Sequence, residues 1–124
     1  MQKIVINRSY GGFGLSDEAK KLLKEKMTEE EIRELHWYTN RNNQILVNVV
    51  ESSGEGANGI SSCLEIVEIP DEYDWIIEEY DGYESIELRP KKEVIRKLVT
   101  PEAIIDYLDK ADLFVGFWRG DIIR

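Results

Sequence analysis

Ile4-Val5-Ile6-Asn7-Arg8-Ser9-Tyr10-Gly11-Gly12-Phe13-Gly14-Leu15-Ser16-Asp17-Glu18-Ala19 runs from a β-branched triplet, through three glycines in four positions, into a helix start. The unbroken apolar triplet predicts a strand over residues 3–7 that is buried on both faces, as interior strands are. Ser16 predicts an N-cap, with Asp17 and Glu18 in the first turn where the helix dipole favours negative charge. Ala19, Leu22, Leu23 and Met27 continue the helix as an apolar stripe. Between strand and helix, the glycines add backbone freedom at an entropic cost. A glycine turn entering a helix is also a way in which folds hold anions. On that ground Asn7, Arg8, Ser9, Tyr10, Gly11, Gly12, Phe13, Gly14 and Ser16 are the candidate ligand-binding residues. Backbone N–H groups would cradle a phosphate or carboxylate, Arg8 would add charge, and Tyr10 and Phe13 would stack on a ring. The plainer alternative is a tight turn whose aromatics fill the core. The stretch lacks both the Lys-Ser/Thr pair of a phosphate loop and the G-x-G-x-x-G spacing of a dinucleotide fold.

Working outward, Thr28 and Glu31 are spaced as a capping box and predict a second helix carrying Ile32, Leu35 and Trp37. Asn40, Asn42 and Asn43 end it and offer a new cap. The run Gln44-Ile45-Leu46-Val47-Asn48-Val49-Val50 has strand-type residues. Its apolar positions recur at helical spacing, and the reading adopted is helix. Residues 52–62 read as a glycine-rich loop and 64–69 as the central strand, closed by Pro70-Asp71. Residues 75–80 and 83–88 flank Asp81-Gly82, the signature of a two-residue type I′ hairpin. Alternation places Trp75, Ile77 and Glu79 on one face, and Ile76, Glu78 and Tyr80 on the other. Thr100-Pro101-Glu102 starts a last helix with proline at its first position, carrying Ile104, Ile105, Leu108 and Ala111. The apolar tail Leu113-Phe114-Val115-Gly116-Phe117-Trp118 is expected to pack on the sheet or on another subunit. The order of elements predicts one α+β domain over 1–124. Its mixed β-sheet would comprise the N-terminal strand, the central strand and the C-terminal hairpin, packed with three to four helices. Parallel pairing of residues 4–6 with 64–69 would make the intervening helices a crossover. Residues 91–124 would form a C-terminal helix and a tail that mediates oligomerisation.

The chain has 124 residues and a net charge of −9, from 25 acidic and 16 basic residues. An acidic field repels nucleic acid and anionic membrane, so neither is an expected partner. The single cysteine, Cys63, excludes an internal disulfide and a multi-cysteine metal site. No apolar run approaches the roughly 18 residues of a membrane span, and the N-terminal run is too short for a signal peptide. These features predict a cytoplasmic protein without a cofactor or a metal.

The opening stretch also resembles an uncharacterised family of small bacteriophage and prophage proteins, whose members begin with a strand and an Asn-Arg/Lys-x-Tyr-Gly-Gly-Phe-Gly/Ser-Leu-Ser motif. Further matching segments are Leu46-Val47-x-Val49-Val50-Glu51, Gly56-Ala57-Asn58-Gly59, Val67-Glu68-Ile69-Pro70-Asp71 and Trp75-x-Ile77-Glu78-Glu79-Tyr80-Asp81-Gly82. The resemblance covers residues 3–88 and is carried chiefly by the glycine motif. Ser9 stands where the family has a cysteine, which removes thiol chemistry at that position, and residues 91–124 have no counterpart. The resemblance implies phage origin, a host-cell cytoplasmic location and an anti-defence or host-takeover role. It supplies no catalytic residues.

Elsewhere, reactive groups are sparse. His36 is the sole histidine, it has no partner spacing for a triad or metal, and packing or surface placement explains it. Cys63 precedes a strand without a cationic neighbour, as a small hydrophobe would. Glu78, Glu79 and Asp81, with Asp71, Glu72 and Asp74 before them, could do acid–base work or hold a divalent metal. Edge charges that block sheet aggregation explain them more simply. Tyr80 and Tyr83 are expected cross-strand partners, and Arg119 follows Trp118 in the tail. The sequence therefore leads to a non-enzymatic binding protein capturing a small phosphorylated or nucleotide-like ligand. The phage resemblance suggests a sponge for a host defence nucleotide signal, built as a homo-oligomer. The alternative is an acidic protein-interaction module that docks on a host protein and inhibits a host enzyme.

Overall fold

The computed structural model describes residues 1–110, and the structure is α+β. Strand β1 (Gln2–Asn7) leads through the glycine turn into α1 (Asp17–Lys24) and α2 (Glu29–Glu34). A 3₁₀ turn (Tyr38–Asn40), α3 (Gln44–Ser53) and a second 3₁₀ turn (Gly54–Ala57) follow. Strands β2 (Leu64–Ile69), β3 (Tyr73–Tyr80) and β4 (Tyr83–Pro90) come next, then α4 (Lys92–Lys97) and a helix over 101–110, α5. Ala111, the apolar tail and Arg119 lie outside the described residues.

The strands form two antiparallel pairs, β1–β2 and β3–β4, rather than one mixed sheet. Ile4 pairs with Val67 and Ile6 with Glu65, so the helices between β1 and β2 are a long antiparallel connection and no parallel crossover exists here. The reason lies at the outer edge of β1. There Val5 N–H donates to the Arg41 carbonyl (2.9 Å), and Asn7 N–H donates to the Glu84 carboxylate (2.7 Å). Side-chain and loop acceptors take the places that another strand would need.

β1 is buried on both faces, as its sequence predicts, and this creates two cores. Val5 faces Ala19, Leu23, Leu46 and Val50 of the helices. Ile4 and Ile6 face Val67 and Ile69 of β2, with Ile77, Ile86 and Leu88 of the hairpin below them. The β1–β2 pair is thus the middle layer between helices and hairpin. Residues 44–53 are helical, capped by the Asn43 side chain, which accepts N–H groups of Ile45 and Leu46. Their β-branched residues yield to tertiary packing, because Leu46, Val47, Val49 and Val50 are all buried. The Thr28–Glu31 capping box is present in both directions. Leu22, Trp37 and Ile105, expected in buried stripes, are exposed instead, since Ala19, Leu23 and Leu35 already fill the helix–sheet contact and Tyr107 docks the last helix.

The segment 54–62 is tied down rather than a free loop. Leu15 and Asn58 form a β-bridge, and Gly59 N–H donates to the Gly14 carbonyl (3.2 Å). Asp81 and Gly82, with φ of 51° and 88°, make the primed turn that their sequence predicts. α4 has no counterpart in the sequence reading: its apolar stripe, Val94, Ile95 and Leu98, is short and set among charged residues, and no side chain caps it. α5 docks by Tyr107, whose ring stacks on Tyr73 with centroids 4.5 Å apart. The Tyr107 hydroxyl donates to the Glu72 carbonyl and accepts from Lys91 N–H (2.8 Å).

Candidate functional site

Asn7 is fully buried at the end of β1, and every part of its side chain has a partner. Its Nδ2 donates to the carbonyls of Ser9 and Gly82, both at 2.8 Å, and its Oδ1 accepts Cys63 N–H (2.8 Å). Asn7 therefore pins the glycine turn, the start of β2 and the hairpin turn to one point. It leaves nothing for a ligand.

Arg8 is directed inward along the same seam. Its Nε donates to the Tyr83 hydroxyl (2.8 Å), its Nη1 lies 3.7 Å from Glu65, and its guanidinium sits 5.3 Å from the Tyr83 ring centre. Ser9 donates to the Ser61 carbonyl. A Cβ on Gly11 would lie 2.2 Å from the Ser61 carbonyl oxygen, so only glycine fits there. Gly12 abuts the hairpin, where a Cβ on Gly82 would come within 2.6 Å of the Gly12 nitrogen. The Gly14 carbonyl accepts the Ser62 hydroxyl (2.7 Å). Ser16 caps α1 by accepting Ala19 N–H (3.1 Å) and donates its hydroxyl to the Gly56 carbonyl. With Asp17 and Glu18 in its first turn, this helix end is already complemented by negative charge.

Phe13 covers a buried ion pair. Arg41 and Glu84 are 1% and 2% exposed, and the Phe13 ring centre lies 3.7 Å from the Arg41 guanidinium carbon. Arg41 Nη2 donates to Glu84 Oε2 (2.8 Å) and to the His36 carbonyl (2.9 Å), and Nε donates to the Leu35 carbonyl (3.0 Å). Nη1 reaches Glu84 Oε1 and the Val5 carbonyl. Sequence reasoning missed this pair. Its one readable signal is the parity of Glu84 with Ile86 and Leu88, which places a carboxylate on the apolar face of β4 and demands a partner.

The remaining candidate, Tyr10, is 60% exposed, and its ring centre lies 5.2 Å from that of Tyr83. With Tyr80, Tyr83, Glu78, Glu79 and Ser85 it lines a cleft of about 140 Å³ on the outer side of the hairpin. The register pairs Tyr80 with Tyr83 across the turn, as expected. Glu79 is held from below: its Oε1 accepts Gly82 N–H (2.6 Å) and its Oε2 accepts the Tyr38 hydroxyl (3.0 Å). Burial, and then the Glu79 carboxylate, push the Tyr38 hydroxyl above the usual tyrosine range. The site residues therefore divide. Asn7, Arg8, Ser9, Gly11, Phe13, Gly14 and Ser16 are drawn into structural contacts, and Tyr10 stands out beside the hairpin carboxylates.

Among the described residues, no catalytic or metal-binding set assembles around the other reactive groups. His36 Nδ1 faces the Arg33 carbonyl on the surface, and Cys63 is exposed. Among the described residues no cluster of three or more His, Cys, Asp or Glu could hold a metal, and no helix is long and apolar enough to cross a membrane. Compared with known proteins, the chain matches no family model, no curated protein and no solved structure.

Proposed function

We propose that this protein is a non-enzymatic, acidic interaction module that docks on a cationic partner protein through Tyr10 and the outer face of the hairpin. One observation carries this reading: three tyrosines, Tyr10, Tyr80 and Tyr83, line a cleft whose charged members are both carboxylates, Glu78 and Glu79. Tyrosine supplies large contact area at low conformational cost and attracts cations over its ring face. The net charge of −9 would speed encounter with a basic surface. The phage resemblance makes a host enzyme the natural partner. To test this, the tagged protein is used to capture partners from a bacterial host lysate. A partner recovered at low salt, and lost both at high salt and with Tyr10→Ala/Tyr80→Ala, is the expected result. Tyr10 and Tyr80 are 60% and 78% exposed, so this variant is expected to keep the fold, which its circular dichroism checks. A partner retained through both challenges would exclude this docking face.

A small phosphorylated or nucleotide-like ligand at the glycine turn is the second reading, and a separate observation favours it. Among the described residues, the N–H groups of Gly11, Gly12, Phe13 and Gly14 have no hydrogen-bond partner, and runs of such groups form anion cradles. Weighing against it, Arg8 is engaged with Glu65 and Tyr83, and Glu78 and Glu79 stand beside Tyr10. Thermal shift with cyclic nucleotides and ADP-ribose derivatives separates the two readings. Stabilisation that Arg8→Ala and Tyr10→Ala abolish would favour the ligand.

A further inference from the structure

Among the described residues neither long edge of the hairpin has a neighbouring strand, and the β3 edge is the one that borders an apolar groove. Pairing that starts at Tyr80–Tyr83 directs the N–H and C=O groups of Trp75, Ile77 and Glu79 away from β4. Among the described residues β3 has no second neighbouring strand, and none of these six groups has a hydrogen-bond partner. Beside this edge runs a groove of about 340 Å³, walled by Tyr38 and Thr39 of the 3₁₀ turn and by Trp75, Ile76 and Ile77 of the strand. An open strand edge facing an apolar wall is the geometry that accepts an added strand: backbone groups pair along the edge and alternate side chains enter the groove.

Charge selects the occupant. Asp74, Glu78, Glu79 and Asp81 lie along β3 and its turn, with Lys91, 3.8 Å from Asp74, and Arg89, the cross-strand partner of Asp74, as counter-charges near its start. A second copy would set these carboxylates against their own kind. We infer that the edge of β3 and its groove take an extended segment of a partner protein by strand addition, with lysine or arginine at alternate positions and apolar residues between them. The partner's charge rests on the interaction reading above. The docking mode rests on the open edge alone.

Nitrogen-15 NMR of the full chain tests this, with a blocked heptapeptide of alternating lysine and valine as probe. The expected result is a set of shifts centred on the amides of Trp75, Ile77 and Glu79 and on Tyr38, with slowed exchange at those three amides. N-methylation of alternate peptide nitrogens removes the edge-facing donors in one of the two registers. It should weaken binding roughly tenfold or more in that register and little in the other. Shifts confined to Tyr10, Tyr80, Tyr83 and Ser85 would overturn strand addition and leave the interaction reading standing. Absence of binding, equal binding of both N-methylated peptides, or equal binding of a glutamate–valine peptide would also overturn the inference. So would exchange protection of Ile77 and Glu79 before any peptide is added, or protection that grows with protein concentration, because either result names another occupant of the edge.

Discussion

Arg41 and Glu84 form the most demanding contact in the molecule at the residue scale. A buried pair stripped of one member leaves an uncompensated charge, which costs about 3–5 kcal/mol. Glu84→Ala and Arg41→Ala should each lower unfolding stability by about that amount in urea titrations. In many proteins a well-packed apolar replacement of both partners restores stability. Here it should not, because Arg41 also donates to the carbonyls of Leu35, His36 and Val5, and Glu84 accepts Asn7 N–H. Arg41→Met/Glu84→Leu should therefore stay destabilised, at about 1 kcal/mol or more for each orphaned group. The glycines separate in the same way. Gly11→Ala meets the backbone of Ser61 and should cost more than ~1 kcal/mol, while Gly14→Ala meets nothing within 4 Å and should change stability by less than ~0.5 kcal/mol. Equal losses at both positions would contradict the packing described for the turn.

At the scale of elements, local chemistry was legible wherever a cap or turn is written in adjacent residues. Ser16, the Thr28–Glu31 box and Asp81-Gly82 all act as their spacing predicts. The box also makes a pH prediction. The Thr28 backbone N–H, and then its hydroxyl, hold the Glu31 carboxyl below the usual glutamate range. A depressed value means that the stabilisation is present above the ordinary glutamate range and fades as pH falls through the lowered value. Between about pH 5 and pH 3 the melting temperature of the wild type should fall more steeply than that of Glu31→Gln. Parallel curves would show that the box contributes no charge-dependent stability. Elements defined by long-range packing were less legible. Residues 44–50 carry both periods, and only their position between α1 and β1–β2 makes them a helix. α4 carries Val94 and Ile95, with Leu98 at its C-cap, at helical spacing, but in a charged stretch too short for that spacing to stand out.

Across the whole molecule, the cores are joined through polar seams, and two tyrosines report on them. Burial, and then the neighbouring Tyr107 and Glu72, raise the Tyr73 hydroxyl, as burial and then Glu79 raise that of Tyr38. For groups raised on folding, stability is complete below the ordinary tyrosine value and is lost as pH rises through the raised one. Unfolding free energy should therefore decline above about pH 10, and Tyr38→Phe and Tyr73→Phe should each flatten that decline. An unchanged slope in both variants would place these hydroxyls in water.

The glycine motif shows how far local sequence reaches. Its composition announced a constrained turn, and Asn7, Ser9, Gly11 and Ser16 are constrained as expected of such a turn. Their partners, Gly82, Ser61 and Gly56, lie tens of residues away and could not be read beside them. The α+β class, the double burial of β1, the caps and the hairpin were determined by sequence alone, because each depends on residues within a few positions of one another. Antiparallel pairing of β1 with β2, the engagement of Arg8, the Arg41–Glu84 seam and the open edge of β3 were decided only by the tertiary structure. Each of these depends on which distant groups meet in a space too small to leave a polar atom unpaired or too open to give it a partner.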